Sequence, residues 1–510
     1  MIHAYALERA CREYADRTAL VSSGVRLTFR DVHARVARLA AALRAHGLGL
    51  GDRLALLLPN GPEYIELMYA CAWLGVAAVP VNTRLSLVEI DRILADAAPR
   101  GLIRHSTLPA PTADVPWQVV LDHDPLHVDA GAAPEPIDDA DATLALIYTS
   151  GTTGLPKGVV VTHANMLANV EHVHYWMAAE QGGVYLHAAP MFHILDLPVM
   201  FASPAAGTCQ VAIPRFSPQA FCEAVERERV TRTTLVPTMI ALLTEFDALG
   251  QHDLTSLAHI AYGGAPMAPA LIRRTRSTLP HVKLQQGYGL SEAGFLTVLQ
   301  DDEHTDARLS SCGRTAPGID LQVVDATGRE VPAGQSGEFV ARGANVMSGY
   351  WNNSEETARA FRNGYVRTGD VGYRDNDGFF FILDRIRDMI VTGGENVYTG
   401  EVEAVLYQHP AVREAAVFGV PDEKWGELVA ASVVPKPHAT VSVDELIAHC
   451  RRSLANYKVP RQIDLLDTEL PKSTAGKILK RLLRERLAAR LAREVELHPN
   501  TQPVSAATRP

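Results

Sequence analysis

One early run, TFRDVHARVARLAAALRAHGLGLGDRLALLLP, holds this chain to a single fold class. Val32, Val36, Leu39 and Leu43 recur at helical spacing. Thr28 stands where an N-cap belongs and Gly47 where a helix stops. RLALLLP then reads as a short buried strand. The pair repeats at once, with EYIELMYACAWLG as helix and VAAVPV as strand. Repeated alternation of helices with apolar strands means an α/β domain around a largely parallel sheet.

The pattern changes further on. Residues from about 310 to 383 carry short strands and Gly-centred turns, GIDLQVVDATGREVPAGQSGEFVARG among them, and read as a small antiparallel subdomain. A charged cluster, Asp384, Arg385, Arg387 and Asp388, separates two apolar strands there and marks a domain boundary. A small α+β unit follows. VREAAVFGVPDEKWGELVAASVVPK supplies two strands around a loop, and Ser442 with Glu445 forms a capping box opening the helix VDELIAHCRRSLANY. The expected domains are 1–384 and 388–486, with 487–510 a helix end and a disordered Pro/Thr/Ala tail. At 510 residues, at least two domains are needed.

The bulk numbers exclude several classes. A net charge of -10 argues against broad nucleic-acid binding. The N-terminus lacks a basic start and apolar core, so no signal peptide is read, and no apolar run is long enough to cross a bilayer. The six cysteines are scattered without C-x-x-C spacing, so buried thiols in a reducing cytoplasm are expected.

The stretch YTSGTTGLPKGVVVTH, residues 148–163, follows the apolar strand ATLALIY and precedes a second strand and a helix. Gly151, Gly154 and Gly158 free the backbone. Thr149, Ser150, Thr152 and Thr153 supply hydroxyls and Lys157 a positive charge. The set suits a phosphate. It is not a Walker A loop: Pro156 stands where the second glycine belongs, Gly158 where Ser or Thr belongs, and a strand pattern replaces the helix.

Six further stretches join it in order: AAPMFH (188–193), AYGGAPM (261–267), QQGYGLSEAG (285–294), GYVRTGD (364–370), DRIRDMIVTGGENVYTGEVE (384–403) and PKSTAGKILKRLLR (471–484). Together they resemble the motif set of the adenylate-forming superfamily, over residues from about 10 to 485, and most nearly its acyl- and aryl-CoA synthetases. The resemblance implies an ATP-dependent acid–thiol ligase using ATP, Mg²⁺ and coenzyme A. A carboxylic acid would attack the α-phosphate of ATP to give an acyl-adenylate and pyrophosphate; the thiol of CoA would then displace AMP.

The resemblance also assigns residues. It places the β- and γ-phosphates on Thr149, Ser150, Gly151, Thr152, Thr153, Gly154 and Lys157. Glu292 would ligate Mg²⁺, with Ser291 before it where the family usually has Thr. Gly263, Gly264 and Ala265 would line the adenine and Tyr288 stack on it, within Gly287, Tyr288 and Gly289. Asp370 would bind the ribose hydroxyls, supported by Arg385. Lys477 would be the catalytic lysine of a mobile C-terminal domain that swings about a hinge at 385–387. Arg387 holds the hinge position, where Asp or Lys is commoner. Gly393 and Gly394 would let the pantetheine arm pass. His193, Pro237 and Gly287 fall in the acyl pocket. The basic set Lys480, Arg481, Arg484 and Arg486 reads first as a solvated helix face and second as a CoA-phosphate contact.

The expected pocket lining, His193, Ile194, Leu195, Leu197, Val236, Pro237, Met239 and Gly287, is mostly apolar and suits a fatty or aromatic monocarboxylate. Asp196 is the exception, and either faces away or binds a polar group of the acid. An amino-acid adenylation unit would carry Asp at position 193 and a carrier domain after 510. A luciferase-like oxygenase would share the fold. A non-catalytic nucleotide sensor would have no use for Lys477. Substrate identity and oligomeric state, a homodimer included, are not legible.

Overall fold

The structure, a computed structural model, describes residues 3–123, 126, 132–150, 156–176, 182–393, 395–422, 425–472 and 478–497. The chain forms two compact units. The first comprises Met1–Gln335, Phe339–Thr368 and Arg374–Phe381, the second Ser336–Glu338, Gly369–Tyr373 and Ile382–Pro510.

The strands of the first half are β1 (Thr18–Ser22), β2 (Val25–Thr28), β3 (Arg53–Leu57), β4 (Ala77–Pro80), β5 (Gly101–Arg104), β6 (Gln118–Val120), β7 (Thr143–Ser150), β8 (Pro156–Thr162), β9 (Val184–His187), β10 (Cys209–Ala212), β11 (Arg232–Leu235), β12 (His259–Gly263), β13 (Lys283–Leu290), β14 (Gly294–Leu299) and β15 (Arg314–Thr315). Those that follow are β16 (Asp320–Val324), β17 (Gly337–Arg342), β18 (Gly349–Tyr350), β19 (Phe361–Arg362), β20 (Tyr365–Arg374) and β21 (Phe380–Arg385). Among the described residues they build a nine-stranded sheet ordered β15-β14-β13-β12-β11-β9-β10-β1-β2 and a seven-stranded sheet ordered β18-β8-β7-β4-β3-β5-β6. The inner pairs of both sheets are parallel; β1–β2, β13–β14 and β7–β8 are antiparallel. A third sheet runs β16-β17-β20-β19, with β21 on β20. The parallel α/β layers and the antiparallel addition are therefore both present.

Local chemistry explains the helices. The helices α1 (His3–Glu13) and α2 (Phe29–Ala45) come first. The Asp31 amide donates to the Thr28 hydroxyl at 3.1 Å, and the Thr28 amide donates back to Asp31 at 2.9 Å, a reciprocal capping box. Gly47 follows the helix end at φ +81°, the left-handed turn glycine accepts without strain. The next helix, α3 (Pro62–Leu74), is buried on every side except at Glu63, so it lies in the core rather than on it. The Arg35 guanidinium, from α2, meets the buried Glu66 carboxylate of α3 at 2.5 Å.

Four further helices follow: α4 (Leu87–Ala97), α5 (His163–Trp176), α6 (Leu197–Ala202) and α7 (Pro218–Glu228). After α8 (Pro237–Thr244), α9 (Pro269–Thr278) and α10 (Ser354–Ala360), the second unit begins in earnest. It holds β22 (Ile390–Thr392), β23 (Glu395–Val397), β24 (Val412–Asp422), β25 (Gly426–Pro435) and β26 (Gln462–Leu465), ordered β23-β22-β25-β24 with β26 on β25. Helices α11 (Thr399–Tyr407), α12 (Val443–Arg451) and α13 (Lys480–Leu497) join them. Val402, Val417, Val433 and Leu446 centre its core.

One local expectation changes. The helix from Ser442 ends at Arg451, not at Tyr457. Lys458 is drawn onto Glu401 at 2.7 Å, and Val459 precedes Pro460, a position that disfavours helical backbone. The capping box is one-sided: the Glu445 amide donates to Ser442 at 3.2 Å, while the Glu445 carboxylate lies 3.6 Å from His409.

Candidate active site

The phosphate-type loop joins β7 to β8 as a hairpin, with Thr149 opposite Lys157 and Ser150 opposite Pro156. Gly151, Thr152, Thr153 and Gly154 lie outside the described residues. Lys157 is half-buried and ion-paired with Glu356 of α10, and its ammonium sits 5.3 Å from the Tyr350 ring centre. Lys157 first, then Arg359, holds the Glu356 carboxyl below its ordinary range. Tyr350 is fixed because β18 pairs with β8, Tyr350 opposite Val159. Its hydroxyl donates to Glu292 Oε1 at 2.9 Å. Burial, then the Glu292 charge, pushes the Tyr350 phenol well up, so it stays a donor across the physiological range. Lys157 and Glu292, from two separate motifs, are thus joined through Tyr350 within the first unit.

Glu292 occupies the turn between β13 and β14. Its backbone carbonyl accepts from the Met347 amide at 2.8 Å. Mg²⁺ is held by one or two carboxylates together with substrate phosphates, rather than by an all-protein cage. One carboxylate oriented by Tyr350, with Lys157 against the ring of the same tyrosine, fits that requirement. Tyr350 and Glu356 were missed in the sequence, because each stands far along the chain from the partner that gives it meaning.

Gly263 ends β12 directly opposite Gly287 of β13. A Cβ on Gly263 would lie 2.4 Å from the Gly287 carbonyl oxygen, so glycine is needed for the strands to meet. Gly264 takes φ +76° and leads to Ala265. Tyr288 is buried, its ring edge-on to Phe339 with centroids 6.2 Å apart. Gly289 faces the Gly294 carbonyl, which a Cβ would strike at 1.9 Å; Ser291 is half-buried in the turn.

A pocket opens between the nine-stranded sheet and helices α5 and α6. Leu195 and Gly287 line it as expected, and so do Val173, Val199, Thr234 and Ala261. His193 is half-buried beside Phe192, ring centroids 4.5 Å apart; Pro237 opens α8. Neither is in the lining. Asp196 faces inward and is fully buried, accepting from His187 Nδ1 at 2.5 Å and from the Tyr185 hydroxyl at 3.0 Å.

In the second unit, Arg385 Nε lies 3.1 Å from the buried Asp370 carboxylate. Arg387 is exposed, 3.8 Å from Asp388. Gly393, between β22 and β23, takes φ +59°, and a Cβ there would meet the Trp425 ring at 2.9 Å. Gly394 and Lys477 lie outside the described residues, though Lys472 and Ile478, on either side of Lys477, pair antiparallel. Three of the basic residues on α13 are engaged: Lys480 with Glu403 at 2.8 Å, Arg481 with Glu485 at 2.6 Å and Arg484 with Glu427 at 3.2 Å. Arg481 is exposed and fits the solvated-face reading, whereas Lys480 turns inward onto Glu403 and Thr399 and does not.

Family models extend these observations. Residues 7–351 match the AMP-binding enzyme model and residues 401–477 the AMP-binding enzyme C-terminal domain. This chain belongs to the AMP-binding enzyme family. Among its relatives, a feruloyl-CoA synthase of Amycolatopsis sp is 39% identical, over 94% of this chain and 97% of that protein. The long-chain-fatty-acid–CoA ligase FadD13 of Mycobacterium tuberculosis is 36% identical, over 92% and 94%. The o-succinylbenzoate CoA synthetase of Bacillus subtilis, solved with ATP and magnesium, superposes with a TM-score of 0.83 at 33% identity, over 94% of this chain and 98% of that one. This AMP-binding enzyme thus stands among AMP-forming acyl-CoA synthetases and ligases. None of its described helices is long and apolar enough to cross a membrane.

Proposed function

We propose that this AMP-binding enzyme activates an apolar monocarboxylic acid, aromatic or fatty, as its acyl-adenylate and passes the acyl group to coenzyme A. The observation that carries the reading is the gathering of Lys157, Tyr350 and Glu292. A lysine and a carboxylate, both held by one tyrosine, are what a polyphosphate with its Mg²⁺ requires. The mainly apolar pocket, walled by Val173, Leu195 and Val199, supports an apolar acid.

In this reading a carboxylate oxygen attacks the α-phosphorus and pyrophosphate leaves. The thiol sulfur then attacks the acyl carbonyl and AMP leaves. Thr149 to Gly154 and Lys157 hold the β- and γ-phosphates, and Mg²⁺ on Glu292 would neutralise charge there. Gly263, Gly264, Ala265 and Tyr288 receive the adenine; Asp370, steadied by Arg385, receives the ribose. Lys477 stabilises charge at the α-phosphate in the first step. The C-terminal domain, from residue 388, then turns at Arg387 for the second, with Gly393 and Gly394 beside the pantetheine arm. The free cysteines suit a reducing cytoplasm.

The test is pyrophosphate release from ATP and Mg²⁺ over a panel of carboxylic acids, with and without CoA, for wild type and Lys477→Ala. Release that needs an acid and falls in the variant, with acyl-CoA formed only when CoA is present, is expected. Release indifferent to the acid would overturn the reading.

A further inference from the structure

Lys157 does not keep its place alone. It stands on β8, and β18 pairs with that strand, Gly349 opposite Val160 and Tyr350 opposite Val159. The Trp351 amide then donates to the Gly158 carbonyl at 2.7 Å. The short helix α10 follows directly and is seated on β18. The Tyr350 amide donates to the Thr357 hydroxyl at 2.9 Å, and that hydroxyl donates to the Asn353 carbonyl at 2.8 Å. Gly349 takes φ +153° under the helix, and a Cβ there would lie 2.8 Å from the Thr357 methyl group. Only glycine lets α10 come this close. The Asn353 side chain caps the helix, accepting from the Glu356 amide at 3.0 Å.

These bonds fix the backbone of Glu356 against that of Lys157, from which it is 199 positions away. The Glu356 carboxylate accepts from the Lys157 ammonium through one oxygen and from the Arg359 guanidinium through the other, the latter at 2.5 Å. The paired lysine and glutamate side chains are only 11% and 17% exposed, so solvent ions screen the pair weakly.

A lysine ammonium is a point charge on a flexible four-carbon stem. Ordering such a stem when a ligand binds subtracts from affinity. Here the stem is already ordered. The ammonium carries three protons. One goes to Glu356, the Tyr350 ring centre lies 5.3 Å away, and two protons are left to give. Arg359 on the second carboxylate oxygen offsets charge that would otherwise oppose an incoming phosphate. The same Tyr350 donates to Glu292, so the lysine and the carboxylate share one frame.

We infer that Glu356 is a positioning residue for ATP, holding the Lys157 ammonium where it meets the β- and γ-phosphates. This rests on the ligase reading above, in which Lys157 takes those phosphates, and adds a carboxylate that none of the motif stretches contains. Glu356 does not touch the nucleotide in this account. Its effect passes through Lys157.

The experiment measures affinity for MgATP by calorimetric titration, and the KM for the acid by pyrophosphate release. It compares wild type, Lys157→Met, Glu356→Ala and the double variant Lys157→Met/Glu356→Ala. Glu356→Ala should weaken MgATP binding by about tenfold, the scale of one long side chain that must be ordered on binding. The KM for the acid should stay near that of wild type. The double variant should lose no more than Lys157→Met alone, because Glu356 acts through the lysine. Glu356→Gln keeps an acceptor oxygen at the same reach and should recover part of the affinity. It also completes the cycle if the alanine variant does not fold. A merely structural role in the first turn of α10 would make the two losses add, which would overturn the inference. So would MgATP binding that is unchanged or tighter in Glu356→Ala, the mark of a counter-ion competing with phosphate, or an acid KM that rises as much as MgATP affinity falls. Each of these leaves the ligase reading standing. Wild-type affinity for MgATP in Lys157→Met would take the phosphates off Lys157 and overturn both.

Discussion

Acid should loosen the N-terminal helix before the rest of the first unit. His3 on α1 and His163 at the start of α5 stack with ring centroids 5.5 Å apart, both fully or almost fully buried. His3 Nε2 and both ring nitrogens of His163 have no hydrogen-bond partner among the described residues. Burial first, and then the charge of His163, lowers His3 to about 3; burial lowers His163 to about 4. Both folded values lie below the ordinary 6.5, so the neutral form is the folded form. Stability is full above that value and is lost as pH falls towards the folded values, where the loss levels off. Between pH 7 and pH 5 the unfolded chain takes up protons that the folded chain refuses, which costs about 2 kcal/mol per imidazole, or about 4 kcal/mol for the pair. If the pair titrates by releasing α1, the opening equilibrium of that helix rises by about 10³. Hydrogen exchange of the α1 amides, corrected for intrinsic rate at each pH, reads this directly. In His3→Phe/His163→Phe most of the pH dependence should vanish. Protection in α1 that does not change between pH 7 and pH 5, or that changes equally in the double variant, would refute the argument.

Three more outcomes follow from packing and charge. Ala261→Leu fills the pocket floor and should raise the KM for the acid by about tenfold or more in the pyrophosphate assay, as one to three methylene groups change affinity in a closed pocket. Gly263→Ala forces a Cβ against the Gly287 carbonyl at 2.4 Å; the β12–β13 pair must part, and a fall of several degrees in the thermal midpoint is expected at a cost of about 2 kcal/mol. Arg35→Met leaves Glu66 buried without its cation and should cost about 3 kcal/mol, measured by urea unfolding. Glu66→Gln in the same background should recover part of that loss.

What was legible in the sequence was what depends on near neighbours. The Thr28 cap, the Gly47 stop and the strand–helix alternation each rest on residues within a few positions, and each is present. The short α12 shows the limit: Ser442 signals where a helix starts, but nothing in the apolar spacing after it marks the stop at Arg451. The pocket shows it more sharply. Asp196 stood out as an acid in an apolar stretch, yet nothing nearby announces that Tyr185 and His187 of β9 are its partners, or that Gln210 of β10 closes on the far side of His187. The motif stretches pointed to Lys157 and Glu292 individually. That Tyr350 would connect them depends on β18 pairing with β8, a register no local pattern carries.

The position of β1 in the nine-stranded sheet has a consequence for how the protein is made. Leu20 of β1 pairs with Gln210 of β10, so on a ribosome the first strand waits for almost two hundred residues before its parallel neighbour emerges. At about 5 to 20 residues per second that wait is roughly 10 to 40 s. Through it the nascent chain presents Ala19, Leu20 and Val21, all buried in the finished fold, with only the hairpin partner β2 to cover an edge. A ribosome-stalled chain ending before residue 209 should therefore engage holding chaperones at its N-terminus and release them once β10 has emerged.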